Sequence, residues 1–136
     1  MDILFKNAFI EVSRPQKNLV QVRYLEKSPT DADMDEYLVF MDKFYASGET
    51  FYMFSDMRLA PAYFSSSVRI KAGSWLKNNR ELVRQRNKGA IFLFPNLVNQ
   101  LMAKAVFAVQ PYPVEYNIVR TEQEVNKWLA ARGIKS

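Results

Sequence analysis

Three consecutive serines in this 136-residue chain could take part in chemistry. Ser65, Ser66 and Ser67 stand directly before an apolar-periodic segment, a position typical of a helix start. The first backbone N–H groups of a helix lack partners and carry partial positive charge, so they favour a ligand or a phosphoryl group. The serines therefore predict either helix caps, each stabilising by about 1 kcal/mol, or a phosphate site.

A second group of polar side chains follows the ends of two predicted strands. Ser55, Asp56 and Arg58 close the first of these strands, and Asn96 follows the second. Because open α/β sheets bind ligands at the carboxyl ends of their strands, these residues could hold a small anion or a nucleotide. They are equally natural in turns and caps, and no glycine-rich phosphate loop accompanies them. The full candidate binding set is Ser55, Asp56, Arg58, Ser65, Ser66, Ser67, Arg69 and Asn96.

The composition excludes several classes of chemistry. The chain has no cysteine and no histidine, which rules out disulfides, thiolate nucleophiles, Ser-His triads and the usual zinc sites within it. Carboxylate, serine and lysine chemistry remain, but no spacing specifies a positioned acid–base pair. We therefore expect no catalytic residue, no metal site and no cofactor.

Charge is distributed unevenly along the chain. The net charge is +5, yet residues 1–64 hold 7 Lys/Arg against 10 Asp/Glu, whereas residues 65–136 hold 12 against 4. The positive excess belongs to the second half and favours encounter with acidic partners. Such a balance describes association and solubility rather than a specific function.

Part of this positive charge forms a predicted basic stripe. At about 100° per residue, a helix over Val68–Lys88 places its basic residues on one face and its apolar residues on another. This face predicts a solvated surface, an acidic protein partner, or contact with anionic lipid or nucleic acid. Nucleic acid is the least favoured partner, because no aromatic residues are interleaved with the stripe for base stacking. The stripe consists of Arg69, Lys77, Arg80, Arg84 and Lys88.

The elements that must position these residues alternate along the chain as ββαβαβαβα. Period-2 and apolar patterns predict strands over residues 8–12, 19–25, 50–55, 89–94 and 114–119. Thr30 and the Thr121/Glu124 capping box start the first and last helices, and the last helix buries Trp128. The pattern predicts an α/β domain with a mixed sheet of four to five strands packed with helices. Its opening strand is a predicted sheet edge that could pair with a second copy.

The helix after Asn96 is expected to bury one strongly apolar face. Its apolar residues recur at helical spacing and are predicted to point inward. They are Leu97, Val98, Leu101, Met102, Ala105, Val106 and Val109.

The order and spacing of these elements resemble the STAS domain, the family shared by anti-sigma-factor antagonists and the cytoplasmic tails of sulfate transporters. The resemblance covers nearly the whole chain, so residues 1–136 read as one STAS-like domain. It is carried by the opening hairpin and by the segments Phe51–Phe54, Tyr63–Ser67, Ile91–Asn96 and Thr121–Glu124.

The resemblance implies two kinds of relative. In members that act as phospho-switches, an Asp-Ser-Ser-Gly-like turn is phosphorylated on its second serine or threonine by a partner kinase. That position falls on Ser67, while the family's Asp falls on Ser65 and its Gly on Val68. The chain is also similar to a STAS-like branch related in fold to lipid-binding CRAL-TRIO domains, in which no phosphorylatable serine is required.

Three functions are therefore expected. The first is a non-enzymatic regulatory or protein-interaction module whose contact surface is the Asp56–Ser67 loop and the start of the following helix. The second is a carrier or sensor of a lipid-like or nucleotide ligand, with a closed pocket of roughly a few hundred Å³ near Trp75, Met102 and Phe107. The third is a phospho-switched anti-sigma-factor antagonist with Ser67 as its phosphosite.

The sequence also predicts a location. The N-terminus lacks a basic leader followed by an apolar region, and no apolar run approaches the roughly 20 residues of a membrane span. We therefore expect a cytoplasmic protein without a transmembrane segment.

Overall fold

The computed structural model describes residues 2–61 and 63–135 of the chain. These residues form one six-stranded sheet and five helices. The strands are β1 (Asp2–Lys6), β2 (Ile10–Gln16), β3 (Leu19–Tyr24), β4 (Phe51–Asp56), β5 (Asn87–Leu93) and β6 (Tyr116–Val119). The helices are α1 (Asp31–Ala46), α2 (Ser66–Asn78), α3 (Arg80–Arg86), α4 (Leu97–Val109) and α5 (Glu122–Ala130).

The sheet has one strand more than the sequence predicted. Its order is β1-β2-β3-β4-β5-β6, antiparallel from β1 to β3 and parallel from β3 to β6. The extra strand is β1, which is short and partly exposed and so lacks a clear period-2 pattern. It pairs with β2 and takes the edge position predicted for residues 8–12. Homodimerisation through the sheet edge stays a prediction, and the strand that would pair with a second copy is β1.

The helices cover the two faces of the sheet unequally. Parallel crossover connections are right-handed, so successive crossovers in one direction place their helices on the same face. Accordingly α1, α2, α3 and α4 all pack on one side, where their side chains share a core with Val22, Met53 and Phe92. The opposite side is covered at Phe54 and Ile91 by α5. Candidate residues on adjacent positions of β4 therefore face different layers.

Polar contacts join α1 to α2 along their length. The Ser67 hydroxyl donates to the Asp31 carboxylate at 2.7 Å. The Lys71 ammonium donates to Asp35 at 2.8 Å, and the pKa of Lys71 is raised chiefly by that hydrogen bond. One turn further on, the Trp75 indole N–H donates to Asp42 at 2.7 Å. Acidic residues of the first half of the chain thus meet hydrogen-bond donors of the second half.

The predicted single helix over Val68–Lys88 is wrong, and with it the continuous basic stripe. The chain leaves helical geometry at Asn79, whose backbone N–H and side-chain amide both donate to the Trp75 carbonyl. A separate short helix, α3, follows, and Lys88 belongs to β5 instead. Periodicity alone does not reveal this break, because the apolar spacing continues across it.

Two arginines of the predicted basic stripe form hydrogen bonds to the segment that connects α4 to β6. Arg80 donates to the Pro111 carbonyl at 3.2 Å, and Arg84 donates to the Pro113 carbonyl at 3.1 Å. Both bonds hold the segment between α4 and β6. Arg80 and Arg84 therefore have structural roles that the sequence did not indicate.

The predicted inward face of α4 is also wrong. Gln100 is buried, and Ala103 and Phe107 are partly buried, whereas the face predicted to point inward is exposed. Because α4 lies over β6 at the edge of the sheet, only one narrow side of it meets the core. The exposed fractions are Leu97 51%, Val98 64%, Leu101 57%, Met102 57%, Val106 60% and Val109 89%.

None of the helices formed by the described residues is both long enough and apolar enough to cross a membrane.

Candidate functional site

The serine run forms the start of α2. Ser65 is the N-cap, and its hydroxyl accepts the Val68 backbone N–H at 3.3 Å. Ser66 accepts a hydrogen bond from Arg69 at 3.2 Å. Ser67 is exposed and, through its bond to Asp31, lies beside the start of α1. A phosphate on Ser67 would therefore lie next to a carboxylate.

The polar residues after β4 form an ion pair of their own. The Arg58 guanidinium donates to both Asp56 carboxylate oxygens, at 3.0 and 2.7 Å, and the Arg58 backbone N–H also donates to Asp56. This pairing raises the pKa of Arg58 above its ordinary value, first through the hydrogen bond to Asp56. A second ion pair links Arg58 to Glu122 on α5. Asp56 is buried, so these residues close the end of β4 and leave it little capacity for a ligand.

The remaining candidates do not converge with that pair. Ser55 lies on the α1–α2 side of the sheet and Asp56 on the α5 side, because successive strand residues alternate. Asn96 caps α4, its side-chain oxygen accepting the backbone N–H groups of Val98 and Asn99. The structure thus brings together Ser65, Ser66, Ser67 and Arg69, but not a single anion site at the strand ends.

Arg69, on α2, contacts the end of the predicted contact segment Asp56–Ser67. Its Nε donates to the Phe64 carbonyl at 3.1 Å, and its guanidinium carbon lies 5.9 Å from the centroid of the Tyr63 ring. The predicted contact segment Asp56–Ser67 includes Ala62, which lies outside the described residues. Arg69 thus connects Tyr63 and Phe64 of this segment to α2.

A groove lies between this loop and α4, and we call it the α2–α4 groove. Its apolar part has a volume of about 250 Å³, and it continues between α2 and the end of α4 as a wider cleft of about 590 Å³. Arg69 lines both parts, and Lys77 lines the second. The apolar part is lined by Met57, Ala60, Pro61, Phe64, Arg69, Phe94, Asn99, Met102, Ala103 and Val106.

Several large apolar side chains are exposed on the surface around the groove. Tyr63 and Ile70 are each 67% exposed; Ile70 lines the wider part of the groove, and Met102 and Val106 from the exposed face of α4 line its apolar part. No aspartate or glutamate is among the described residues that line either part of the groove. Contiguous apolar surface with a basic group in it is characteristic of interaction sites rather than of solvated faces.

A separate, partly enclosed cavity lies beneath α1 and α2. Its volume is about 140 Å³, smaller than the few hundred Å³ that the ligand hypothesis predicted. Of the residues expected around it, Trp75 lines this cavity, Met102 lines the groove, and Phe107 packs against Phe92. Trp75, Met102 and Phe107 do not line one pocket, because the side of α4 that carries Met102 faces solvent and α2 ends at Asn78.

Sequence reasoning missed the residues that give this cavity its polarity. Tyr24, Tyr37, Tyr45 and Tyr112 come from β3, from α1 and from the segment before β6, and all four line it with Ser55. Each occupies a position that reads as core packing. Four tyrosines on inward-facing positions are a signal, since buried hydroxyls need hydrogen-bond partners.

Comparison with known proteins supports the fold. No protein-family model and no curated protein matches the chain. Among solved structures, a match is an uncharacterised protein of the DUF3478 family with a SpoIIAA-like fold, from Shewanella loihica PV-4. The TM-score is 0.66 at 12% identity, covering 92% of this chain and 98% of that one. The chain has this SpoIIAA-like fold, which confirms the STAS-like fold that the resemblance predicted.

Proposed function

We propose that this protein is a non-enzymatic interaction module whose α2–α4 groove binds an acidic segment with an apolar face, supplied by another protein. The observation that carries the proposal is the outward-facing apolar side of α4 beside Arg69. Surface of this kind costs free energy in water, and covering it with a partner recovers that cost.

Charge complementarity favours an acidic partner. Arg69 and Lys77 supply positive charge along the groove, and its described lining carries no carboxylate. Arg69 keeps two of its donors on Phe64 and Ser66, so the guanidinium is already oriented before a partner binds. A preorganised arginine loses less side-chain entropy when it pairs with a carboxylate.

The apolar part of the groove determines the kind of segment. Met102 and Val106 lie one helical turn apart on α4 and face Met57 and Phe64 across the groove. An amphipathic helix presents apolar side chains at the same spacing, so its apolar face can be buried there. Its acidic residues would then lie towards Arg69.

Photo-crosslinking in the organism that encodes the protein tests this proposal. A photoreactive phenylalanine derivative replaces Met102 in one variant and Val39, on α1, in the other. Val39 is a matched control position because its side chain is 54% exposed, close to the 57% of Met102. The crosslinked segment is then mapped by mass spectrometry.

We expect the Met102 variant, and not the Val39 variant, to crosslink to a segment that combines acidic and apolar residues. Adding Val106→Asp should reduce the yield at least tenfold, because it places a carboxylate among apolar side chains and facing an acidic partner. Adding Val39→Asp instead should leave the yield unchanged. Equal yields from both positions, or crosslinks only to lipid or to a second copy of the chain, would contradict the proposal.

A further inference from the structure

We propose that the cavity beneath α1 and α2 is a binding site for a small uncharged molecule that joins an aromatic body to a hydrogen-bonding group, as phenol does. This site is distinct from the α2–α4 groove, since the two share no lining residue. The inference therefore goes beyond the proposed interaction module.

The size of the cavity limits its occupant. Its volume is about 140 Å³. A protein cavity of about 150 Å³ holds one benzene-sized molecule. A single substituted ring fits in such a space, whereas most of a nucleotide or of a lipid would have to lie outside it.

The lining of the cavity excludes charged ligands. No arginine, lysine, aspartate or glutamate is found among the described residues that line it. An ion placed there would lose its hydration without gaining an opposite charge, which is strongly unfavourable. The apolar part of the wall comes from side chains such as Leu38, Leu76 and Phe92.

The tyrosines add hydrogen-bonding capacity to this apolar wall. Burial and the neighbouring tyrosines raise the pKa of Tyr37 and of Tyr112 well above 10, and burial raises the pKa of Tyr24 to about 12. All three are therefore neutral phenols at physiological pH, able both to donate and to accept. All three side chains line the same cavity and so present their polar groups to one occupant.

These hydroxyls are available to a ligand. All three line the cavity, and Tyr24 and Tyr112 are only partly buried, so polar atoms of the cavity wall can be reached from the cavity. A molecule in the cavity that offers a donor or an acceptor can therefore pair with a tyrosine hydroxyl, whereas a purely apolar molecule cannot. The cavity thus combines a ring-sized apolar space with hydrogen-bonding groups.

Titration with phenol, with toluene as a matched probe that lacks the hydroxyl, tests the inference. Trp75 lines the cavity and Trp128 packs on the opposite face of the sheet, so Trp128→Phe leaves Trp75 as the single tryptophan reporter. We expect phenol to shift the Trp75 fluorescence saturably and to bind more tightly than toluene. In the Trp128→Phe background, Tyr37→Phe should weaken phenol binding about two- to tenfold, which corresponds to the loss of one hydrogen bond. Toluene binding should be unchanged.

Two cavity-filling variants show where phenol binds. Ala72→Leu, from α2, and Leu38→Phe, from α1, each add volume to the lining and should abolish the fluorescence shift. If one of them fails to fold, the other gives the same test. The inference is overturned if phenol gives no saturable shift, if toluene binds as tightly as phenol, or if a folded filled variant still binds phenol.

Discussion

At the scale of single residues, Ser66 and Ser67 are neighbours with opposite surroundings. Ser66 accepts a hydrogen bond from Arg69, whereas Ser67 donates one to Asp31. Both stand in the first turn of α2, where the helix dipole favours negative charge. A negative charge added at Ser66 would therefore lie beside Arg69, whereas one added at Ser67 would lie beside Asp31.

This contrast gives a prediction for the candidate phosphosite. Ser67→Glu should destabilise the protein by about 0.5–1 kcal/mol relative to Ser66→Glu, because only the former puts a carboxylate against Asp31. Denaturant unfolding of both variants measures the difference. Equal free energies of unfolding would show that the Ser67–Asp31 contact does not govern the start of α2.

If the predicted ordering holds, a phosphate on Ser67 would separate the starts of α1 and α2 while leaving the helices themselves intact. Amide hydrogen exchange of the first turns of the two helices in Ser67→Glu would then be faster than in Ser66→Glu. The phospho-switch hypothesis remains a prediction of the resemblance, and this contact supplies its physical basis.

At the scale of elements, the packing of α5 on the sheet depends on the absence of a side chain at Gly89 of β5. A Cβ at Gly89 would lie 3.2 Å from Trp128 Cη2 and 3.4 Å from Tyr52 Cδ1. The Arg132 guanidinium carbon lies 3.7 Å from the centroid of the Trp128 ring and restricts the movement of that ring. The close approach of α5 to the sheet thus depends on Gly89.

Two glycine substitutions test this packing. Gly89→Ala should lower the free energy of unfolding by about 1–3 kcal/mol through overpacking. Gly73→Ala, on α2, is the matched control, because the nearest atom to its added Cβ is Gln110 Oε1 at 4.0 Å. The control should stabilise by about 0.5–1 kcal/mol, the helix preference for alanine over glycine. A Gly89→Ala protein as stable as the wild type would refute the argument.

The orientation of α4 is the second element-scale question. The Phe107 ring lies 5.4, 5.7 and 4.9 Å from the rings of Phe92, Tyr112 and Tyr116, whereas its neighbour Val106 is 60% exposed. Apolarity therefore does not distinguish the buried side of α4 from the exposed side.

Adjacent truncations on α4 separate the two sides. Phe107→Ala should cost about 3 kcal/mol, because it removes a packed ring. Val106→Ala should change the free energy of unfolding by no more than about 0.5 kcal/mol, as surface substitutions do. Urea unfolding of the two variants checks this, and a larger cost for Val106→Ala would mean that α4 is turned inward.

For the whole molecule, the sequence predicted the order of the strands β2 to β6 and the STAS-like fold, because most of these strands are rich in apolar residues, but it merged α2 and α3 into one helix. The capping motifs at Thr30 and Thr121 located two helix starts correctly. The sequence did not predict β1. This strand forms by pairing with the edge of β2 and has no clear period-2 hydrophobic pattern of its own.

The candidate site was less predictable, for physical reasons. Periodicity identifies an apolar face but does not say whether the fold supplies a surface to cover it, so the α4 face was assigned inward. Strand-end position likewise does not reveal that Asp56 and Arg58 pair with each other. The serine run was the exception, because capping is local: Ser65 forms the predicted cap. The exposed α4 face favours an interaction surface over a ligand crevice at the strand ends.

The central claim is that Arg69 and the exposed face of α4 together bind an acidic, apolar segment of another protein. A double-mutant cycle tests it most directly: Arg69→Gln against neutralisation of each acidic residue of the segment crosslinked at Met102, with affinities measured by calorimetry. We expect one acidic residue to couple to Arg69 by about 1 kcal/mol or more and this coupling to weaken as salt is raised. Strictly additive effects at every acidic residue would contradict it.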